Sequence, residues 1–204
     1  MPFGLAKAPA IFRNMMNEIL KDMIDHGVVI YLDNILIYSR SEEDHITLTK
    51  KVLERLQEHQ LALSPEKCEW HMSIVNFLGY IISENGIEME QEKIRTVLEW
   101  KEPTTVKEVQ SFLGSANFFR HFIQGNSKLT RSLTDLTKKS EKFNWQAECQ
   151  EAFDMLKKRF TFAPILRHFD PELQCIIEFN ASDFAIGAIL SQEIEGRLHL
   201  VVFH

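Results

Sequence analysis

The sequence predicts an α+β protein, and three observations carry that prediction. Apolar residues recur at helical spacing through several long stretches. Two short β-branched or aromatic runs flank a tight polar turn near residue 33. After Pro164 the pattern changes from helical stripes to paired strand-like runs.

The elements follow in order along the chain. Pro9 stands where a first helical residue would, and Ile11, Phe12, Met15, Met16, Ile19, Leu20, Met23 and Ile24 keep helical spacing as far as Gly27. Val28-Val29-Ile30 and Ile35-Leu36-Ile37-Tyr38 then read as the arms of a hairpin, with Tyr31-Leu32-Asp33-Asn34 at its tip. Asp and Asn tolerate the positive φ that such turns need. Ser41 with Asp44 caps a second helix striped by His45, Leu48, Val52, Leu53 and Leu56.

Leu61-Ala62-Leu63 reads as extended, Ser64-Pro65 restarts a helical turn, and Val75 to Ser83 followed by Asn85-Gly86 reads as a second hairpin. Gln91 to Trp100 is a short helix ended by Pro103. Thr105 and Glu108 form a capping box for the helix bearing Val109, Phe112, Leu113 and Ala116. Leu129 to Thr137 and Gln146 to Phe160 are two further helices, the second with Cys149, Phe153, Leu156 and Phe160 on one side. Cys175 to Phe179, Ala185 to Leu190 and Leu198 to Phe203 are three strands.

Composition narrows the class of protein. The 204 residues are 45% hydrophobic and 25% charged, which is ordinary for a globular domain or two with a real core. No apolar run reaches the roughly 18 residues of a membrane span, and no signal peptide pattern opens the chain, so an intracellular protein is expected. Cys68, Cys149 and Cys175 are widely spaced, which argues against a disulfide framework. Cys68 and His71 have a ligand-like spacing, but with no second pair nearby a helix face is the better reading.

The net charge of −6, from 29 acidic and 23 basic residues, fits poorly with a protein that wraps a phosphate backbone alone. Basic residues do cluster, at Lys157, Lys158, Arg159 and Arg167 and at Lys128, Arg131, Lys138, Lys139 and Lys142. Solvated helix surface explains both groups equally well. No Gly-rich phosphate loop, Gly-x-Ser-x-Gly elbow or His-Glu-x-x-His motif is present, and the eight His residues are scattered.

More specific information lies in an ordered set of motifs. Met1 to Phe12 contains Pro2-Phe3-Gly4-Leu5, and Tyr31-Leu32-Asp33-Asn34 follows a helix. Leu63-Ser64-Pro65-Glu66-Lys67-Cys68, Phe77-Leu78-Gly79-Tyr80, Ser111-Phe112-Leu113-Gly114, Pro164-Ile165-Leu166 and Ala181-Ser182-Asp183 come after it. In this series the chain resembles the reverse transcriptase of gypsy-type LTR retrotransposons over nearly its whole length.

The resemblance implies a partial polymerase palm at 1–102, thumb and connection helices at 103–163, and an incomplete RNase H-like sheet at 164–204. It implies RNA-directed DNA polymerase and RNase H activities, Mg²⁺ or Mn²⁺ as cofactor, and an RNA/DNA template–primer as partner. The rest of a Pol polyprotein is a further implied partner, and a membrane is not. A retrotransposon particle in the cytoplasm, or the nucleus, is the implied location. Asp33 would be the metal ligand and catalytic carboxylate. Pro2, Phe3, Gly4 and Leu5 would lie under the incoming nucleotide and templating base, and Phe77, Leu78, Gly79 and Tyr80 would be the primer grip. The residues themselves also allow a plain loop at 2–5 and a buried hairpin with Gly79 at a bulge at 77–80.

The pattern is departed from in two matching ways. Asn34 stands where the family has a second Asp, and Asn180, within Phe179-Asn180-Ala181-Ser182, stands where its RNase H segment has the first Asp. An amide oxygen binds a hard cation more weakly than a carboxylate does. Some RNA-virus polymerases carry Asp-Asn at the similar turn, so Asn34 alone does not imply inactivity. Glu178 shares a strand face with Asn180 and Asp183 belongs to the next turn, so neither replaces the missing charge. The family's other palm Asp precedes the Pro-Phe-Gly-Leu motif. The expectation is therefore a truncated region, inactive as an isolated chain, with a domesticated interaction or nucleic-acid-binding module or a relic reading frame as the alternative.

Overall fold

The structure is a computed structural model that describes residues 8–138, 142–181 and 186–204. It divides into two compact units, Met1–Trp70 and His71–His204.

In the first unit α1 (Ala8–Ile19) leads to the antiparallel pair β1 (Val28–Tyr31) and β2 (Asn34–Ile37), and α2 (Glu42–Glu58) follows. The apolar stripe is right but the helix is shorter than its spacing predicts, ending at Ile19 instead of near Gly27. Its last apolar residues continue in turns, with the Ile24 amide donating to the Leu20 carbonyl at 3.1 Å. Asp25 and Gly27 then take positive φ, 62° and 101°, and reverse the chain so that Met23 and Val28 both reach the core. Only glycine suits position 27, since a Cβ there would overlap Leu48 and meet the Tyr38 carbonyl oxygen at 2.9 Å.

Met16, Ile19, Leu20, Met23, Val28, Val52 and Leu56 form the core of this unit. Each such side chain is worth about 1.5–3 kcal/mol when fully buried. Helix α2 starts as expected, for Ser41 Oγ accepts from the Asp44 amide at 3.1 Å and donates to its carboxylate at 2.7 Å. Arg55 ties α2 to the end of α1 by donating to the Ile19 carbonyl at 2.7 Å and to Asp22 at 3.0 Å. Arg55, with Lys51, lowers the Asp22 pKa from 3.8 to about 2.

The second unit opens on a three-stranded antiparallel meander, β3 (Ile74–Phe77), β4 (Tyr80–Ser83) and β5 (Gly86–Met89). The predicted arm Val75 to Ser83 is therefore two strands. Gly79 sits in the turn between them and not at a bulge, because Leu78 and Gly79 take φ of 55° and 82° and Phe77 pairs directly with Tyr80. Cys68 closes a 3-10 turn (Pro65–Lys67) and His71 has a φ of 52°, so neither lies on the helix face that their spacing suggested.

Helices α3 (Gln91–Leu98), α4 (Val106–Phe118) and α7 (Ala147–Thr161) surround the larger core. Phe112 is fully buried there, 5.7 Å from the Trp100 ring and 4.6 Å from that of Phe153. Thr105 caps α4 as predicted. Its partner Glu108 reaches one residue further back, accepting from the Thr104 amide at 2.7 Å and its hydroxyl at 3.0 Å. Those bonds hold the Glu108 carboxyl below its usual range. The predicted helix Leu129 to Thr137 is broken into α5 (Asn126–Leu129) and α6 (Arg131–Asp135), with the Thr130 hydroxyl donating to the Asn126 carbonyl at the break.

A second meander, β6 (Cys175–Ala181), β7 (Ile186–Ile194) and β8 (Arg197–Phe203), ends the chain. Gln192 on β7 is 1% exposed and clamps the preceding turn. Its amide oxygen accepts from the Asp170 N–H at 2.9 Å and its nitrogen donates to the Asp170 carbonyl at 2.7 Å. No helix among the described residues is long and apolar enough to cross a membrane.

Candidate nucleic-acid interface

Strand pairing places Leu32 and Asp33 alone in the turn of the first hairpin, because Asn34 already pairs with Tyr31 as the first residue of β2. Leu32, and not Asp33, takes the positive φ, at 55°. The sequence suggested the opposite, since a bulky side chain resists the left-handed region that Asp tolerates. The tetrad therefore presents Asp33 and Asn34 as exposed side chains at the end of a hairpin supported by α1 and α2.

The second turn is set differently. The Gly79 carbonyl oxygen accepts from the Glu90 amide at 3.0 Å, which ties the turn to the start of α3. A Cβ at Gly79 would meet Lys93 Cε at 3.3 Å and the Phe119 ring at 3.5 Å. Behind the turn, Tyr80 stacks on Phe118 and Phe122, with ring centroids 5.5 and 5.9 Å apart, and meets Phe119 edge-on at 5.4 Å. Its hydroxyl donates to the Phe118 carbonyl at 3.2 Å, and burial raises its pKa.

An open cleft of about 460 Å³ results, lined by Leu78, Gly79, Glu90, Lys93, Ser115, Phe118 and Phe119. A half-exposed aromatic ring, one ammonium and a backbone turn thus face the same space, a combination suited to a sugar–phosphate backbone and base faces. On another part of α4, a groove of about 290 Å³ is lined by Leu113, Gly114, Asn117, Asn126, Thr130 and Thr134. Asn126 Oδ1 is buried in the structure without a hydrogen-bond partner. Sequence reasoning named Leu78 and Gly79 but missed Lys93, Ser115 and Phe118, whose only signal was a helix stripe too short on apolar residues to bury every side.

The predicted clusters of positive charge are partly absorbed locally. Lys157 donates to the Trp100 carbonyl at 2.6 Å and lies over the Phe153 ring, while Lys138 and Arg131 pair with Asp135. Asn180 on β6 pairs with Gly187 on β7 and is exposed, with Glu178 on the same face. Pro2, Phe3, Gly4, Leu5, Lys139, Ser182 and Asp183 lie outside the described residues. Among the described residues no three His, Cys, Asp or Glu side chains converge as a metal would require. Asp33 and Asn34 offer one carboxylate and one amide oxygen. That set fits one ligand of a two-metal centre but not the centre itself.

Residues 1–82 match the family described as reverse transcriptase (RNA-dependent DNA polymerase). Residues 145–204 match the RNase H-like domain found in reverse transcriptase. The chain belongs to the reverse transcriptase family and carries its palm together with an RNase H-like fragment. More particularly, it corresponds to the reverse transcriptase/RNase H region of retrotransposon polyproteins.

Among relatives, it is 44% identical over 193 residues to the transposon Tf2-7 polyprotein of Schizosaccharomyces pombe, a match covering 95% of this chain. The Tf2-3 polyprotein of the same yeast is 43% identical over the same length. The chain spans only 14% of the length of either. Among solved structures, foamy viral protease-reverse transcriptase in complex with RNA/DNA hybrid matches with a TM-score of 0.79 and 25% identity. That match covers 100% of this chain and 27% of the viral one. The same viral protein in complex with dsDNA matches with a TM-score of 0.78 and covers 42% of that chain.

Proposed function

We propose that this chain is the part of a gypsy-type retrotransposon reverse transcriptase that holds the template–primer duplex. The cleft at the Leu78-Gly79 turn is the observation that carries this reading. Phe77, Leu78, Gly79 and Tyr80 present the turn to the primer strand as its grip, backed by the Tyr80 aromatic stack. Lys93 faces the backbone phosphates, and Phe118 offers its exposed ring to the bases or sugars. Structural neighbours solved with RNA/DNA hybrid and dsDNA support a duplex as the partner.

Asp33 supplies one oxygen ligand for Mg²⁺ or Mn²⁺, and the remaining carboxylates come from outside the described residues. Pro2 to Leu5 contribute to the nucleotide and template side. Asp33 by itself does not make a two-metal centre, so the chain alone binds duplex but does not extend a primer. Asn34 and Asn180, in place of carboxylates, equally favour a second reading, a domesticated module that retains duplex or protein binding without catalysis.

Fluorescence anisotropy with a labelled RNA/DNA primer–template tests the binding claim. Saturable, salt-sensitive binding that falls about tenfold in Lys93→Glu is expected. Binding unchanged in that variant would remove the cleft from the interface. Primer extension with Mg²⁺ or Mn²⁺ by this chain or by Asn34→Asp would overturn the catalytic part.

A further inference from the structure

Between α7 and β6 the chain runs through Pro164-Ile165-Leu166-Arg167-His168, a segment that the function proposed above does not use. Leu166 is 5% exposed and forms an antiparallel bridge with Ile87 on the outer edge of β5. The Ile87 amide donates to the Leu166 carbonyl at 2.8 Å, and the Leu166 amide donates to the Ile87 carbonyl at 2.9 Å. The next residue turns the other way, its amide donating to the Leu200 carbonyl on β8 at 2.7 Å. Successive N–H groups of an extended chain point to opposite sides, so one dipeptide reaches both sheets at once.

Two side chains lock the same segment onto the β4–β5 turn. His168 Nε2 lies 2.6 Å from the Ser83 carbonyl, and the Arg167 guanidinium donates to the Asn85 carbonyl at 3.1 Å. Gly86 makes the approach possible. A Cβ at this position would overlap the Leu166 carbonyl oxygen and meet Ile165 Cγ2 at 3.0 Å, at a φ of 139°. One more polar link holds β8, between His121 Nδ1 and the Phe203 carbonyl oxygen at 3.2 Å.

We infer that residues 165–168 are a coupling strap that joins the grip meander β3–β5 and the RNase H-like meander β6–β8 into one hydrogen-bonded ribbon. The strap fixes the spacing between the grip turn and the RNase H-like sheet. A duplex long enough to touch both then meets a preset pair of contacts, and its second contact forms at high effective concentration. This duplex half of the inference rests on the function proposed above; the coupling of the sheets does not.

The decisive variant is Arg167→Pro. It removes the amide that bonds Leu200, and the extended conformation that proline imposes on Leu166 suits the bridge to Ile87. Arg167→Ala serves as control, losing only the guanidinium contact. Spin labels carried by noncanonical residues at the exposed positions Asn76 and Arg197 report the distance between the two sheets. A single narrow distribution is expected for the unaltered chain and for Arg167→Ala, and a broad one for Arg167→Pro, broader still with His121→Ala. An unchanged distribution in both proline variants would overturn the strap. If Arg167→Pro does not fold, Gly86→Ala supplies the same test from the other side.

The second arm compares affinities for a short duplex and one extended by a further turn or two. The longer duplex is expected to bind the unaltered chain at least about tenfold more tightly, and Arg167→Pro no more than about threefold, with short-duplex affinity unchanged. A ratio that survives a broadened distance would overturn the role in duplex binding. Failure of the unaltered chain to bind either duplex would sink the proposed function, while the label distances would still decide the strap.

Discussion

Two hairpin turns in this chain share a backbone device and differ in everything around it. Leu32 and Leu78 both take a φ of 55° at the first position of a two-residue turn between short antiparallel strands. At the first turn Asp33 follows, exposed, with no other carboxylate cluster among the described residues to share a cation. At the second, Gly79 follows, bonded to Glu90 and packed near Lys93 and Phe119. A turn of this kind sets the direction of the side chains. Its neighbours decide whether it is a site, and those of the second turn build a cleft.

The largest test of that difference acts on the cleft's foundation. Phe112→Ala is expected to cost about 3–5 kcal/mol, since the ring is fully buried between Trp100 and Phe153. Calorimetry should show the transition of the second unit falling while that of the first stays in place. A uniform shift of both would mean that the two units unfold together.

Substitutions in the turns themselves should have opposite signs. Gly79→Ala places a side chain at φ 82° against Lys93 and is expected to cost about 1–2 kcal/mol and to weaken duplex binding. Leu32→Gly relieves the positive φ of a bulky residue, offset in part by the greater freedom of glycine when unfolded. It should leave stability unchanged or raise it by up to about 1 kcal/mol in urea titration. Equal losses at both positions would show that Leu32 is held by packing and not strained.

Acid should affect the two units through different carboxylates. Asp22 in the first unit has a folded pKa of about 2 against an ordinary 3.8, so its contribution is complete above 3.8 and lost as pH falls toward 2. Glu108 at the start of α4 is also depressed, by bonds from Thr104, and its contribution likewise disappears as pH falls below its ordinary 4.5. Asp22→Asn should flatten the acid response of the first unit alone, and Glu108→Gln that of the second, as followed by unit-specific hydrogen exchange. The smallest effect belongs to Asn34→Asp. An exposed substitution at a strand end should move stability by less than about 0.5 kcal/mol, measured by thermal melting.

Much of this was legible in the residues. Ser41-Asp44 and Thr105-Glu108 announced two helix starts because capping is local, needing only three residues of separation. The short run of β-branched and aromatic residues from Cys175 to Phe179 announced strand β6 for the same reason. The errors arose where distant chain intervened. Apolar periodicity continued past Ile19, but closing the core around Val28 required a reversal at Asp25 and Gly27 that periodicity does not encode. The residues alone allow a bulge at Gly79 because register is not encoded locally, and the pairing of Phe77 with Tyr80 puts it in a turn instead.

By itself the sequence determined the kind of chain, the ordered motifs of a reverse transcriptase with an RNase H-like segment, and the identity of Asp33, Asn34 and Asn180. Those are properties of residues and their near neighbours. Tertiary structure alone decided that Lys93, Ser115 and Phe118 meet the Leu78-Gly79 turn, and that Leu166 and Arg167 bind two sheets in opposite directions. Contacts between segments tens of residues apart depend on register and on the direction of each N–H group, and composition and spacing specify neither.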